Sequence, residues 1–112
     1  MSDDIISGTQ FKHQVWERYS KGVTRTGLEV VAEHPKYGRV GEMQLAPDPD
    51  EHGNREIHDV GVLFKRRGIG TGLYNHAQEA GLNPQHSSWR TDEGDSWAKK
   101  VGGHLPERDD RR

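Results

Sequence analysis

The residues whose types and spacing could do chemistry lie between Glu56 and Gly72. Val60 to Phe64 is an apolar run, Lys65-Arg66-Arg67 a basic turn, and Gly68-Ile69-Gly70-Thr71-Gly72 the start of a helical pattern. A helix start leaves backbone N–H groups unpaired and carries a partial positive charge, so it attracts anions. Gly68, Gly70 and Gly72 present no side chain that would hold a bulky phosphate away, and Lys65, Arg66 and Arg67 supply countercharge. The segment therefore reads as a phosphate-cradling loop. The competing reading is an ordinary strand-to-helix turn beside a solvated charge run. Each glycine in a helix start lowers helix propensity by about 1 kcal/mol, a cost that backbone access to a ligand would explain. Just upstream, Glu56, His58 and Asp59 are candidates for a general base, the imidazole having the intrinsic pKa better suited to neutral pH. Strand alternation would put Glu56 and His58 on one face and Asp59 on the other. The same three residues could equally be polar groups on a half-solvated strand.

Two common phosphate motifs fail on spacing. A dinucleotide fingerprint requires G-x-G-x-x-G, whereas this run is G-x-G-x-G, and 112 residues are too few for a doubly wound dinucleotide domain. A Walker loop ends in Gly-Lys-Ser/Thr, which is absent here.

The elements that must position these groups can be read in outline. Residues 1–10 form a loose polar start. Phe11 to Tyr19 alternates as a strand would, Phe11, His13 and Val15 against Lys12, Gln14 and Trp16, and Ser20 to Gly27 looks turn-like. Leu28 to Glu33 reads as a strand, 35–38 as a hairpin connection and Arg39 to Ala46 as the next strand. After the Pro47–Asn54 loop, Glu56 to Leu63 is a further strand. A helix follows, with Ile69, Leu73, Ala77 and Ala80 on one face, Tyr74 facing away from that stripe and Gly81 as its stop. Gln85 to Trp89 reads as a brief strand. Thr91 is the expected N-cap of a second helix that ends at Gly102-Gly103, before a charged tail over 105–112. The expected fold is α/β (α+β): a mixed, mostly antiparallel sheet, a glycine-loop helix and a second C-terminal helix, in a single domain with its core over 28–103.

Composition narrows the function. A balance of 16 basic to 18 acidic residues, net charge −2, argues against a general nucleic-acid binder, although Lys65 to Arg67 could still form a local basic patch. Zero cysteines exclude disulfides, cysteine zinc sites and a thiol nucleophile, and the seven histidines show no His-x-x-x-His spacing, so no metal site is expected. The first residues lack a secretion signal and no segment is long and apolar enough to span a bilayer, so a cytoplasmic protein without membrane contact is expected.

Lys65-Arg66-Arg67-Gly68-Ile69-Gly70, after a strand and at a helix start, resembles the acyl-CoA pyrophosphate motif of the GNAT N-acyltransferase superfamily, Gln/Arg-x-x-Gly-x-Gly/Ala. A second anchor, Thr91-x-x-Gly94-x-x-Trp97-Ala98 up to Gly102, looks like that family's Asn-x-x-Ala-x-x-Phe-Tyr-x-x-x-Gly-Phe helix. The resemblance covers roughly Leu28 to Gly103 and describes a pared-down member. It implies an acetyl-CoA-binding N-acetyltransferase that acts on an amine acceptor the sequence does not identify. Cofactor contacts then fall to Val60 and Val62, whose strand backbone would polarise the acyl oxygen, to Lys65 through Gly72 including Thr71, and to Thr91 and Trp97. Glu56 or His58 would be the base, and Tyr74 a stand-in for the family's thiolate-protonating tyrosine, whose place Ala98 takes. His86 is a further candidate proton relay. The family's two helices after the first strand have no room between Tyr19 and Leu28. The other reading is a catalytically inactive CoA-binding or protein-interaction module of the same fold. A sheet edge after Trp89 could be covered by a second copy, giving a homodimer.

Overall fold

The computed structural model describes residues 7–64, 67–87, 90, 92–103 and 105–107, with backbone only at 92 and 93. The chain runs β1 (Gln10–Ser20), β2 (Val23–His34), β3 (Gly38–Leu45), β4 (Arg55–Val62), α1 (Ile69–Glu79), β5 (Pro84–Gln85) and α2 (Asp92–Val101). The strands form one five-stranded sheet in sequence order; β1 to β4 are antiparallel neighbours and β5 joins β4 in parallel. This is an α+β architecture with a mostly antiparallel sheet and two helices.

The first hairpin corrects the sequence reading of Ser20 to Gly27. Only Lys21 and Gly22 turn, with φ of 52° and 78°, and Val23 to Gly27 already belongs to β2. Two successive positive φ angles match the twist of a two-residue hairpin, and glycine tolerates the second without a Cβ clash. Residues 23–26 are exposed, so this part of β2 exists through pairing with β1, Ser20 with Val23 to Trp16 with Gly27, and not through burial. The hairpin connection over 35–38 and the strand after it match expectation, but Val40 does not alternate with Glu42 and Gln44. It is the extra residue of a bulge against β2, since Ala32 pairs with Gly41 and Glu33 with Arg39, and it is buried in the core.

Side chains alternate across the sheet as the strand period requires. Leu28, Val30, Ala32, Met43, Leu45 and Ile57 form a core with Ile69, Leu73 and Ala77 of α1. Gly41 allows the helix to lie close: a Cβ there would sit 2.6 Å from Ile69 Cγ2 and 3.4 Å from Leu73 Cδ1. The opposite face of β1–β3 is polar. Glu29, at 8% exposure, accepts hydrogen bonds from Gln14 Nε2 at 2.6 Å and Gln44 Nε2 at 3.1 Å, with Arg39 Nη2 3.7 Å away. Trp16 lies over Gly27 on this face and donates to Gln44 Oε1 at 3.0 Å.

Tyr74 does not face away from the α1 stripe. It is buried at 4% exposure, stacked on His86 and edge-on to Trp97. The apolar stripe meets the sheet, and Tyr74, one position further round, is covered from the other side by α2. The helix ends as expected, Gly81 N–H bonding Gln78 O and Leu82 N–H bonding Ala77 O. The predicted strand over 85–89 shrinks to Pro84–Gln85; His86 and Ser87 are not strand, and Trp89 lies outside the described residues. No helix among the described residues is long and apolar enough to cross a membrane.

Candidate functional site

The site is built where β4 parts from β5. Pairing between them is confined to Arg55 with Pro84 and Glu56 with Gln85. Beyond Glu56 the outer edge of β4 borders a cleft of about 120 Å³ lined by Ile57, His58, Asp59, Val60, His86, Ser87, Arg90, Gly94 and Trp97. A register shift sharpens this edge: Gln44 pairs with Asp59 but Leu45 with Ile57, so His58 is the extra residue of a β-bulge. Bulges re-aim side chains, and the strict alternation expected for Glu56, His58 and Asp59 is broken here. Glu56 Oε1 and His58 Nε2 lie 3.7 Å apart, both about half exposed, and His58 and Asp59 both line the cleft.

A larger cavity of about 430 Å³ lies beside the cleft, lined by Ala46, Asp48, Asp50, Asn54, Glu56, Gln85, His86 and Pro106. His86 borders both spaces. It is buried, with Nε2 held 2.8 Å from Gly102 O and its ring stacked on Tyr74. The Glu56–His58 pair likewise spans them, Glu56 lining the larger space and His58 the smaller. Asp50 stays ionised readily: the N–H of Asn54 first, then that of His52, holds its carboxyl below the usual range despite some desolvation. The larger cavity is therefore anionic.

Past the cleft, β4 leads to the start of α1. The helix begins after Gly68, with no side-chain cap and no acidic residue in its first turn. Gly72 N–H already bonds Gly68 O at 2.9 Å, so Gly72 contributes no free donor to an anion. The helix positions without an intrahelical acceptor are Ile69, Gly70 and Thr71. Arg67 is exposed beside them; Lys65, Arg66 and Thr91 lie outside the described residues. Trp97 packs its indole on Gly70, where a Cβ would sit 3.2 Å from Nε1. That buried Nε1 has no hydrogen-bond partner among the described residues, and a buried donor left unpaired costs about 1–3 kcal/mol.

Of the sequence candidates, the structure gathers Glu56, His58, Val60, His86 and Trp97 around the two spaces. Val62 packs against the core and does not line the cleft. Tyr74 does not line it either, and its hydroxyl accepts from Gln78 Nε2 at 3.0 Å. Ala98 is buried at 1% exposure, so no hydroxyl stands at that point of α2. Sequence reasoning missed Arg90, which is 8% exposed and bonds Asp95 Oδ1 through Nε at 3.0 Å. Lys99 and then Arg90 hold the Asp95 carboxyl below its usual range. An isolated arginine five residues before an aspartate carries no sequence signal of such a pair. Asp48 and Asp50 reach the larger cavity from the loop between β3 and β4, a segment whose sequence signals only a turn.

The chain matches no known protein family, curated protein or solved structure.

Proposed function

We propose that this chain binds an acyl-CoA, acetyl-CoA foremost, and transfers its acyl group to an amine. The observation that carries the reading is the parting of β4 from β5 immediately before an uncapped, glycine-started helix. A strand edge without a neighbour offers backbone groups to an extended, amide-containing arm, and the helix start offers N–H groups to its phosphates. The bulge at His58 and the order of glycine-loop helix, short parallel strand and second helix support a GNAT-like arrangement.

In this reading the amine enters from the anionic cavity, where Asp48, Asp50 and Glu56 favour a cationic acceptor. The ammonium gives a proton to the Glu56–His58 pair, directly or through water. The amine lone pair then attacks the thioester carbonyl, whose oxygen is polarised by backbone N–H near Val60. The C–S bond breaks as the C–N bond completes, and the proton that the nitrogen sheds in becoming an amide balances the one the departing thiolate takes up. Ala98 and the engaged Tyr74 hydroxyl leave that last proton to solvent or to His86. The same two observations favour the second reading, a domain that binds CoA without turnover.

Calorimetric titration of acetyl-CoA tests the binding. The wild type is expected to bind, and Arg67→Glu, which reverses an exposed charge beside the helix start, to bind about tenfold more weakly, a difference of about 1.4 kcal/mol. Absence of binding to folded wild type would overturn both readings. Release of free thiol in the presence of di- and polyamines, lost in Glu56→Gln with acetyl-CoA binding intact, would separate the enzyme from the non-catalytic module.

A further inference from the structure

Far along the sheet from the cleft, two histidines from different elements face each other. His13 of β1 and His76 of α1 bring Nδ1 and Nε2 to 3.0 Å, their ring centroids 5.3 Å apart and their planes tilted by 50°. Only one proton can lie between two such nitrogens, so at least one lone pair points inward. We infer that His13 and His76 form a two-point site for a divalent transition-metal ion of the imidazole-preferring class, with Zn²⁺ or Ni²⁺ as its probes.

The distance suits the ion. With metal–nitrogen bonds of about 2.0–2.1 Å, a tetrahedral angle places the two nitrogens about 3.4 Å apart and a right angle about 2.9 Å. The observed separation lies within that span, so coordination needs only a small opening of two side chains. The carboxylate of Glu79, on the same helix, is near enough to act on His76 and adds negative charge near a bound cation. Water would complete the coordination. No group of three or more potential ligands occurs among the described residues, so the site rests on two protein ligands.

Such an ion would tie the edge strand to the helix that carries the glycine loop, two segments 63 residues apart in sequence. It would bind the folded chain and not the unfolded one, raising stability by mass action.

Zn²⁺ titration of the full chain at pH 7.5, by calorimetry and by thermal unfolding, tests the inference. The wild type is expected to bind one equivalent and to melt at higher temperature with metal. His13→Ala and His76→Ala are each expected to lose at least about tenfold in affinity while His52→Ala, at an exposed loop histidine, keeps it; circular dichroism checks each fold. Ni²⁺ should broaden the imidazole NMR signals of His13 and His76 first. No Zn²⁺ binding to folded wild type, or binding that survives both substitutions, would overturn the site.

Discussion

Gly41→Val is expected to lower stability by about 3 kcal/mol and to weaken acetyl-CoA binding with it. The site tolerates no side chain, because a single added carbon would already reach 2.6 Å from Ile69 Cγ2 and 3.4 Å from Gly61 O. Overfilling a packed interior costs about 1–3 kcal/mol per substitution, and valine adds two methyl groups beyond that first carbon. Ile69 is the first residue of α1 and buried, so relief of the clash must move the helix start whose N–H groups face the proposed phosphate site. Gly61→Ala is the control, since a Cβ there meets nothing within 4 Å. Denaturant unfolding should show Gly61→Ala within about 1 kcal/mol of wild type. Equal losses in the two variants would show that α1 does not rest on Gly41 as described.

Glu29→Ala is expected to cost about 2–3 kcal/mol, because it leaves the Gln14 and Gln44 amides and Arg39 facing a half-buried gap. Burial alone would raise the Glu29 pKa. The hydrogen bonds from Gln14 and Gln44, with Arg39 and Arg18, outweigh it, so the value lies below the ordinary one near 4.5. The unfolded chain then binds a proton before the folded one does. Glu29 thus contributes its stability in full above about pH 4.5 and loses it as pH falls through the lower, folded value. His76 acts earlier and in the same direction: its folded pKa is lowered from 6.5, so stability begins to fall as the unfolded histidine protonates. Unfolding midpoints from pH 8 to pH 3 should show both steps. Glu29→Gln should remove the acidic one and His76→Gln the one that begins near pH 6.5.

Much of this fold is written in local patterns. From Gly41 on, β3 alternates because Met43 and Leu45 meet α1 while Glu42 and Gln44 face the polar side. Val40, bulged against β2, breaks the period and joins the core. Gly81 marks the end of α1 because the chain must turn there. The first half of β2 was hidden: Thr24, Arg25 and Thr26 bury nothing, and their strand is imposed by the partner across the hairpin. Gly27 looked like a turn residue, yet it makes room for the Trp16 ring. Tyr74 was misplaced because helical periodicity sees one buried face, while α1 has two. At the site, Glu56 and His58 were visible as residue types. Their 3.7 Å approach depends on a bulge, a property of register with β3 that no run of β4 residues carries alone. Arg90 with Asp95, and the acidic lining from Asp48 and Asp50, arise from tertiary placement.

The brevity of the β4–β5 pairing has a consequence for the order in which the molecule comes apart. Strands β1 to β4 are joined by successive hairpins, long ladders between near neighbours in sequence that can close early and open late. The cleft's far wall is joined to the rest by two strand residue pairs, by the contact of Tyr74 with His86 and Trp97, and by the packing of Trp97 on Gly70. The Gln85 amide proton of β5 and those of α2 should therefore exchange with solvent through partial openings that leave the β2–β3 amides protected. A ligand seated between β4 and Trp97 would close those openings. Its arrival would be legible as slowed exchange in α2, even though it touches mainly the opposite wall.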